Sequence, residues 1–569
     1  MSSRQPLRVP VGPDALRWST FRREKTLVVA ARTVTSTARV LECLPALLRG
    51  DSRVAVVFAH DPTSAFNDGV LDLLHDSGCR VMEWEQLADA APDLIVSASE
   101  NIDVPEGDCP VLVLPHGIGF QKHVPDSRAP RSRLSGVVPD RLLESGRAWL
   151  AISHPGQEDQ LLATHPKATG RTLLVGDPCF DELLVSLDQA GAYRAALGVP
   201  DGQRLVVLSS TWGPTSLIGQ NPGLPARLLA ALPYDEFRVA AIIHPNVWSG
   251  HGAWQIRTTL AAALDAGLIL IPPVHAWRPA LVAADAVVGD HGSVTLYGAA
   301  LGKPVLLASF GSDAVPGTAA DSLGRAAPRL DPLGDMVRQI RTAVGEHTPE
   351  RYRTIGEQAF ARPGQALAQL RTALYHLMGL PEPSPGVPPR LMLPAPEEAA
   401  SAVSSWTVAT TASFEDERPV VTVRRHPAAV SGAEHETPQA FTHLACDDHE
   451  RDRRLVESAS VLIRRHALPT SVAALRWIGE SLRRCPGCRL AAVALDGGGC
   501  LVGLRDGRVV EAAVTGPAAD PGLPAATVYT LLRAGAALDD VMVTLRTGEL
   551  REEDVSLRLR PRTSADPFR

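Results

Sequence analysis

Ala284-Asp-Ala-Val-Val-Gly-Asp290-His291-Gly292-Ser293-Val-Thr-Leu-Tyr-Gly-Ala-Ala-Leu-Gly302-Lys303-Pro304-Val-Leu-Leu alternates between two kinds of local order. Ala286 to Val288 is a short apolar run, the pattern of a strand buried on both faces. A polar turn, Gly289 to Ser293, leads into a small-residue helix predicted over Val294 to Leu301. Gly302 stops that helix and Pro304 opens a second apolar strand, Val305 to Leu307. The result is a βαβ unit whose turn gathers backbone N–H groups, a hydroxyl and a helix N-terminus at one point, an arrangement suited to phosphate. The bland alternative is a Gly-rich βα turn without a ligand, since open α/β sheets contain several.

Working outward, the same alternation recurs. Leu27–Ala31, Val54–Phe58, Arg80–Met82, Asp93–Ser97, Val111–Leu114, Trp149–Ile152 and Thr172–Val175 read as strands with helical patterns between many of them. After a helical stretch near Asp181 to Leu197, a second series follows: Leu205–Leu208, Phe237–Ile243, Leu268–Ile271, Ala286–Val288 and Val305–Leu307. Strands alternating with helices imply parallel sheet covered on both faces. The expected fold class is therefore α/β, a pair of Rossmann-like doubly wound domains, with a small C-terminal α+β domain. The expected boundaries are a disordered N-terminus over 1–25, Rossmann-like domains over 26–185 and 186–379, a linker over 380–400, and the α+β domain over 401–569. The linker is read from Leu380-Pro-Glu-Pro-Ser-Pro-Gly-Val-Pro-Pro389, whose proline density predicts few contacts across it. In the last part, Val420–Val423, Leu490–Leu495, Cys500–Leu504 and Val509–Ala513 read as short strands, and Arg453–Arg465 and Ser471–Arg483 as helices.

The composition narrows the function. The chain has 569 residues, 45% of them hydrophobic and 21% charged, with a formal net charge of −7. That balance is ordinary for a globular protein and argues against nucleic acid as a partner. No apolar run reaches the length of a transmembrane segment, and no signal peptide is apparent. Eight scattered cysteines suit a reducing interior, so a cytoplasmic protein is expected.

Four further turns follow strands: Pro115-His116-Gly117, Gly176-Asp-Pro178-Cys-Phe-Asp181, Ser209-Ser-Thr211-Trp212-Gly213 and Ile243-His244-Pro245. Each falls where a parallel sheet presents its active face. One strand-end histidine is more often structural than catalytic; two beside an anion-binding turn are a rarer coincidence. The ordered set, with Asp290-His-Gly-Ser293 and Gly302-Lys303-Pro304, resembles the CDP-glycerol glycerophosphotransferases of teichoic acid synthesis over about residues 27–344. That family has a GT-B fold. Two of its arginines are absent here, where Gly213 and Cys179 stand, and its Tyr-Ser is replaced by His291-Gly292. The Asp290 turn also looks like turns of UDP-sugar proteins, including UDP-GlcNAc 2-epimerases.

The resemblance implies a transferase moving a glycerol-phosphate, polyol-phosphate or sugar unit from a CDP- or UDP-activated donor to a cell-envelope acceptor. That acceptor would be a polymer or lipid-linked, met at the inner face of the membrane, and no cofactor is required. His116 would be the general base on the acceptor hydroxyl and His244 a ligand of the donor phosphate. Gly117, Thr211, Trp212, Asp290, His291, Gly292 and Ser293 would bind substrate, although Asp290 reads equally well as a helix cap. The rivals are a nucleotide-sugar epimerase or hydrolase, and a non-catalytic binding protein derived from the same fold. No metal is expected in this part. Cys446, His449, Cys485 and Cys488 form a weak candidate zinc set, against a default of free cysteines.

Overall fold

The computed structural model describes residues 17, 19–126, 132–384, 386, 388–397, 402–430, 440–496, 498–515, 520–548 and 551–561. Most of the N-terminal segment expected to be disordered lies outside these, and Lys25 already belongs to a strand.

Two all-parallel sheets carry the first two thirds of the chain. The first contains β1 (Lys25–Ala31), β2 (Val54–His60), β3 (Val81–Glu83), β4 (Leu94–Ser97) and β5 (Val111–Val113). A small hairpin, β6 (His123–Pro125) with β7 (Ser132–Leu134), follows, and β8 (Ala148–Ile152) and β9 (Thr172–Leu174) complete the sheet. Its order is β3-β2-β1-β4-β5-β8-β9. The second sheet contains β10 (Arg204–Ser210), β11 (Phe237–Ile243), β12 (Ile269–Leu270), β13 (Ala286–Gly289) and β14 (Val305–Leu307), in the order β12-β11-β10-β13-β14. Both orders reverse direction beside the first strand, at β1/β4 and β10/β13. Ligands of doubly wound sheets sit in the crevice outside such points. This fits the expected GT-B-like pair.

Close packing at the second switch point has a local cause. A Cβ on Gly289 would lie 2.2 Å from the Thr295 hydroxyl, so only glycine lets the following helix, Ser293–Ala300, approach the strand end. The helix Ala366–Leu377 crosses back: Leu367, Leu370, Leu374 and Tyr375 join the core of the first sheet. Among the described residues no helix is long and apolar enough to cross a membrane.

The C-terminal part differs from the expected small α+β domain. It is a closed barrel of nine strands: β15 (Ser405–Glu415), β16 (Arg418–Pro427), β17 (Phe441–Asp447), β18 (Val461–Leu468), β19 (Leu490–Leu495), β20 (Cys500–Leu504), β21 (Val509–Val514), β22 (Val541–Thr547) and β23 (Arg551–Leu559). The expected helix over 453–465 ends at Ser458, and β18 takes the remainder. The helix Gly522–Ala534 packs within the barrel core and is buried on nearly every side from Gly522 to Leu531. Its hydroxyls are satisfied internally, Thr527 donating to Leu523 O at 3.0 Å and Thr530 to Ala526 O at 2.6 Å. An all-round apolar helix is what such a position demands.

Nor is the linker free of contacts. Leu393 is buried, its carbonyl accepts from the Tyr193 hydroxyl at 2.6 Å, and Arg371 donates to Pro383 O at 3.1 Å. The barrel itself docks on the second sheet's domain. Arg425 forms a buried ion pair with Asp235 and another with Asp520, and Tyr234 N–H donates to Arg425 O at 2.7 Å. Tyr234 packs edge-on against Trp406, which is fully buried.

Removing one member of a buried ion pair leaves the other charge stranded. Arg425→Ala should therefore destabilise the protein by about 3–5 kcal/mol, read as a loss of denaturant midpoint. A second expectation concerns His443, which is buried in the barrel and whose pKa burial pushes down to about 3. The unfolded imidazole titrates near 6.5, so acidification favours the unfolded chain. Stability conferred by neutral His443 is complete above that value and is lost as pH falls towards 3, by up to about 1.4 kcal/mol per pH unit. His443→Phe should flatten this slope in urea titrations at stepped pH.

Candidate active site between the two sheets

The carboxyl ends of the two sheets face one cleft. Its lining includes His116, Gly117, Thr211, Trp212, His244, His291, Gly292 and Ser293, so eight of the nine proposed substrate and catalytic residues share one space.

Asp290 does not line it. The side chain is fully buried beneath the cleft floor. Oδ2 accepts from Thr211 N–H at 2.8 Å and Leu217 N–H at 2.9 Å, and Oδ1 from Gly292 N–H at 2.9 Å. Burial raises its pKa, against the pull of His291 and these three N–H groups. Asp290 is thus a brace tying the loop after β10 to the loop after β13, neither a substrate contact nor the cap of the helix, which is Gly292.

The two histidines are held in opposite tautomers. His116 Nδ1 lies 3.1 Å from Ala98 O, which can only accept, so Nδ1 carries the proton and Nε2 keeps its lone pair. Burial lowers the His116 pKa, partly offset by Glu100, itself paired with Arg133 at 2.8 Å. His244 caps the helix Pro245–Thr259, its Nδ1 accepting from Asn246 N–H at 3.1 Å. The proton of neutral His244 must then sit on Nε2. Burial holds its pKa well below the usual value, and Lys122 and His116 add to this. One imidazole therefore offers an acceptor to the cleft and the other a donor.

Ser293 begins the helix Ser293–Ala300, whose N-cap Gly292 makes no side-chain cap bond. The Ser293 hydroxyl accepts from Ile118 N–H at 3.1 Å, joining the two halves across the cleft. Gly117 permits this approach, since a Cβ there would stand 2.7 Å from Ser293 Oγ. His291 lines the cleft with both ring nitrogens engaged: Nε2 is 2.9 Å from Asp313 Oδ2 and Nδ1 accepts from Gly311 N–H at 3.1 Å. It orders the loop around Gly311 and Asp313. Trp212 packs against Phe66 with centroids 5.5 Å apart.

The turn Gly176–Asp181 is structural. Asp177 caps the helix Pro178–Val185 and accepts from the Tyr297 hydroxyl at 2.7 Å. Burial pushes the Cys179 thiol up to about 12, so Cys179 is an inert core group. The proposed zinc set is not assembled either. Cys446, Cys485 and Cys488 are buried between the barrel wall and the helix Ser471–Arg484, whereas His449 is exposed. Among the described residues the group of ligand atoms close enough for an ion is Asp447, Asp448 and His449.

The sequence reading passed over Arg39, Glu100 and Lys122, which also line the cleft. Arg39 stands on the first helix, Val34–Leu47, with Nη2 3.4 Å from both His116 O and the Tyr297 hydroxyl. Its neighbour Glu42 pairs with Arg278 of the second half at 2.9 Å. Nothing local marks these positions; only the meeting of the two halves does.

No family model matches the chain, and no curated protein matches its sequence. Among solved structures, a wall teichoic acid polymerase, TagF, in a variant soaked with CDPG, is similar at 10% identity over 62% of this chain and 89% of its own, with a TM-score of 0.44. The UDP-GlcNAc 2-epimerase of Neisseria meningitidis bound to UDP-GlcNAc is similar at 16% identity over 62% and 100%, with a TM-score of 0.38. A glycosyltransferase of Rickettsia africae follows at 10% identity over 62% and 98%, with a TM-score of 0.34. At these scores the similarities assign nothing by themselves.

Two variants probe the geometry. Asp290→Ala leaves three buried N–H groups without a partner and should cost at least about 1–3 kcal/mol, seen as a lowered melting temperature. Gly117→Ala should displace the Ser293 hydroxyl and weaken its contact with Ile118 N–H, seen as faster hydrogen exchange of the Ile118 amide.

Proposed function

We propose that the cleft binds a CDP- or UDP-activated donor and transfers its glycerol-phosphate, polyol-phosphate or sugar unit to an acceptor hydroxyl. The observation that carries this reading is the opposite tautomers of His116 and His244 on the two sides of one cleft.

The half built on the first sheet takes the acceptor, and the half built on the second takes the nucleotide donor. His116 Nε2, kept unprotonated by burial, accepts the hydroxyl proton as the oxygen attacks the activated centre. The bond from that centre to the nucleotide phosphate breaks, and its electron pair leaves with the phosphate. His244 Nε2–H donates to the phosphate oxygen on which charge develops. The uncapped N-terminus of Ser293–Ala300 supplies further N–H groups to the same anion. Ser293 joins this set by donating its hydroxyl proton to a phosphate oxygen, its own oxygen still accepting from Ile118 N–H. Because both imidazoles are neutral at rest, the rate should hold through mildly alkaline pH and fall as acid protonates His116, whose depressed pKa places that fall below pH 6.5.

Thermal melting with CDP and UDP compounds tests the donor class, since a ligand near saturation raises stability measurably. His116→Ala should abolish transfer with donor affinity nearly unchanged. His244→Ala and Ser293→Ala should each weaken donor binding by about 1–3 kcal/mol, read by calorimetry. Unaltered affinity in both of these variants would place the nucleotide elsewhere. Release of the sugar or polyol unit to water without an acceptor would make the protein a hydrolase.

A further inference from the structure

The cleft contains one cation that makes no ion pair. Arg39 and Lys122 are the Lys and Arg side chains among the described residues that line it, and Glu42 and Glu100 are the carboxylates. Three of these four are occupied: Arg39 and Arg278 with Glu42, and Arg133 with Glu100. Lys122 forms no ion pair within 4.0 Å among the described residues. Its Nζ makes one hydrogen bond, to Thr211 Oγ1 at 3.3 Å, and lies 5.1 Å from the centre of the Trp212 ring. An ammonium carries three donors, so this half-buried one retains donors to spare. The carboxylates that act on it from nearby, Asp313 and Asp290, are engaged with His291 and with three backbone N–H groups, so an incoming anion still finds the ammonium without an ion-pair partner.

Lys122 arrives from the opposite half. Gln121 to His123 belong to the first half, yet they run against the 313–315 segment of the second. His123 N–H donates to Asp313 O at 2.7 Å, Val315 N–H to Gln121 O at 2.9 Å, and Lys122 bridges to Ala314. Gln121 Oε1 also accepts from Ala320 N–H at 3.0 Å. These contacts hold the lysine beside Thr211 and the loop that Asp290 braces. The ammonium therefore stands on the same floor as His244 Nε2–H and the helix N-terminus at Gly292, but on a backbone from across the cleft.

We propose that Lys122 is the cation for the anionic, phosphoryl-bearing part of the ligand, and that it joins the site only when the two halves are together. An anion carrying more than one phosphoryl group suits this division, one end on the donors of the second half and the other on Lys122. Phosphate binding and the pairing of 121–123 with 313–315 are then linked, and each strengthens the other. This rests on the reading of the cleft as a nucleotide-donor site, but inorganic pyrophosphate tests the lysine without the nucleotide.

The experiment is calorimetric titration of the full chain with inorganic pyrophosphate and, separately, with CDP and UDP. Wild type should bind all three. Lys122→Met should bind each about 10- to 100-fold more weakly, as expected for loss of a charged hydrogen bond. Lys122→Arg should recover most of the affinity, and cytidine and uridine, which lack phosphate, should bind wild type and Lys122→Met alike. Should Lys122→Met fail to fold, Lys122→Gln takes its place, and the salt dependence of pyrophosphate binding to wild type gives an independent readout. A folded Met or Gln variant that binds pyrophosphate as tightly as wild type overturns the proposal. So does a wild type that binds no pyrophosphate, or binds it without any salt dependence. Pyrophosphate binding lost in the variant, with no CDP or UDP binding to wild type, would sustain Lys122 as the anion ligand and sink the nucleotide reading instead.

Discussion

One buried carboxylate organises the floor of the cleft. Asp290 follows β13 directly, and its two oxygens accept N–H groups from the loop after β10 and from Gly292. Without those bonds the loop carrying Thr211 and Trp212 would have no fixed relation to the turn carrying His291 and Ser293. The position is the topological switch point of the second sheet, where adjacent strand ends diverge and leave a crevice. A short, charged acceptor bridges that divergence because each of its lone pairs can be met by backbone N–H groups, which stabilise the ionised form inside the protein. The cost is that Asp290 is fully buried beneath the cleft and outside its lining.

Above this floor, directional polar contacts join the two halves. Ser293 to Ile118, Arg39 to Tyr297, and the Glu42–Arg278 pair all cross the cleft or its back wall. Arg278 also pairs with Glu182, whose carboxyl burial pushes up to about 7 against the pull of Arg278. Hydrogen bonds and ion pairs of this kind are directional, so they define one arrangement of the halves sharply. Each is also individually modest in net energy, which suits a joint that must admit a ligand. The outward side of the second half is held differently. There the barrel meets it through Arg425, Asp235, Tyr234 and Trp406, a desolvated set with two cations over the Trp406 ring, Arg425 at 5.5 Å and Arg465 at 4.2 Å. The anchored loop leads directly into β11, the strand that His244 follows.

Every strand of the two parallel sheets was legible in the sequence, because a strand buried on both faces must be an unbroken apolar run bounded by turn residues. Leu205 to Leu208 and Ala286 to Val288 are examples. The βα turns were legible for the same reason, and eight of the nine substrate and catalytic positions read from them share the cleft. The barrel was legible only in part. Val461 to Leu468 carries Arg464, Arg465 and His466, and its alternation was hidden by the polar residues that flank it. The helix Gly522–Ala534 was missed because an all-round apolar helix has no amphipathic period to detect.

What the sequence determined by itself is local: where the chain is strand or helix, and which side chains stand at strand ends. These depend on spacing within a few residues, which periodicity and turn chemistry report directly. The tertiary structure alone decided which of those side chains face substrate. Asp290 and His116 look alike as polar residues after a strand, yet one is consumed by backbone N–H groups from a loop about eighty residues away and the other keeps a free nitrogen. Lys122 lay in no motif at all, and it stands in the cleft because two distant segments, 121–123 and 313–315, pair across it. The physical reason is that burial, tautomer and charge balance are properties of the surroundings, and those surroundings come from parts of the chain that no local pattern relates.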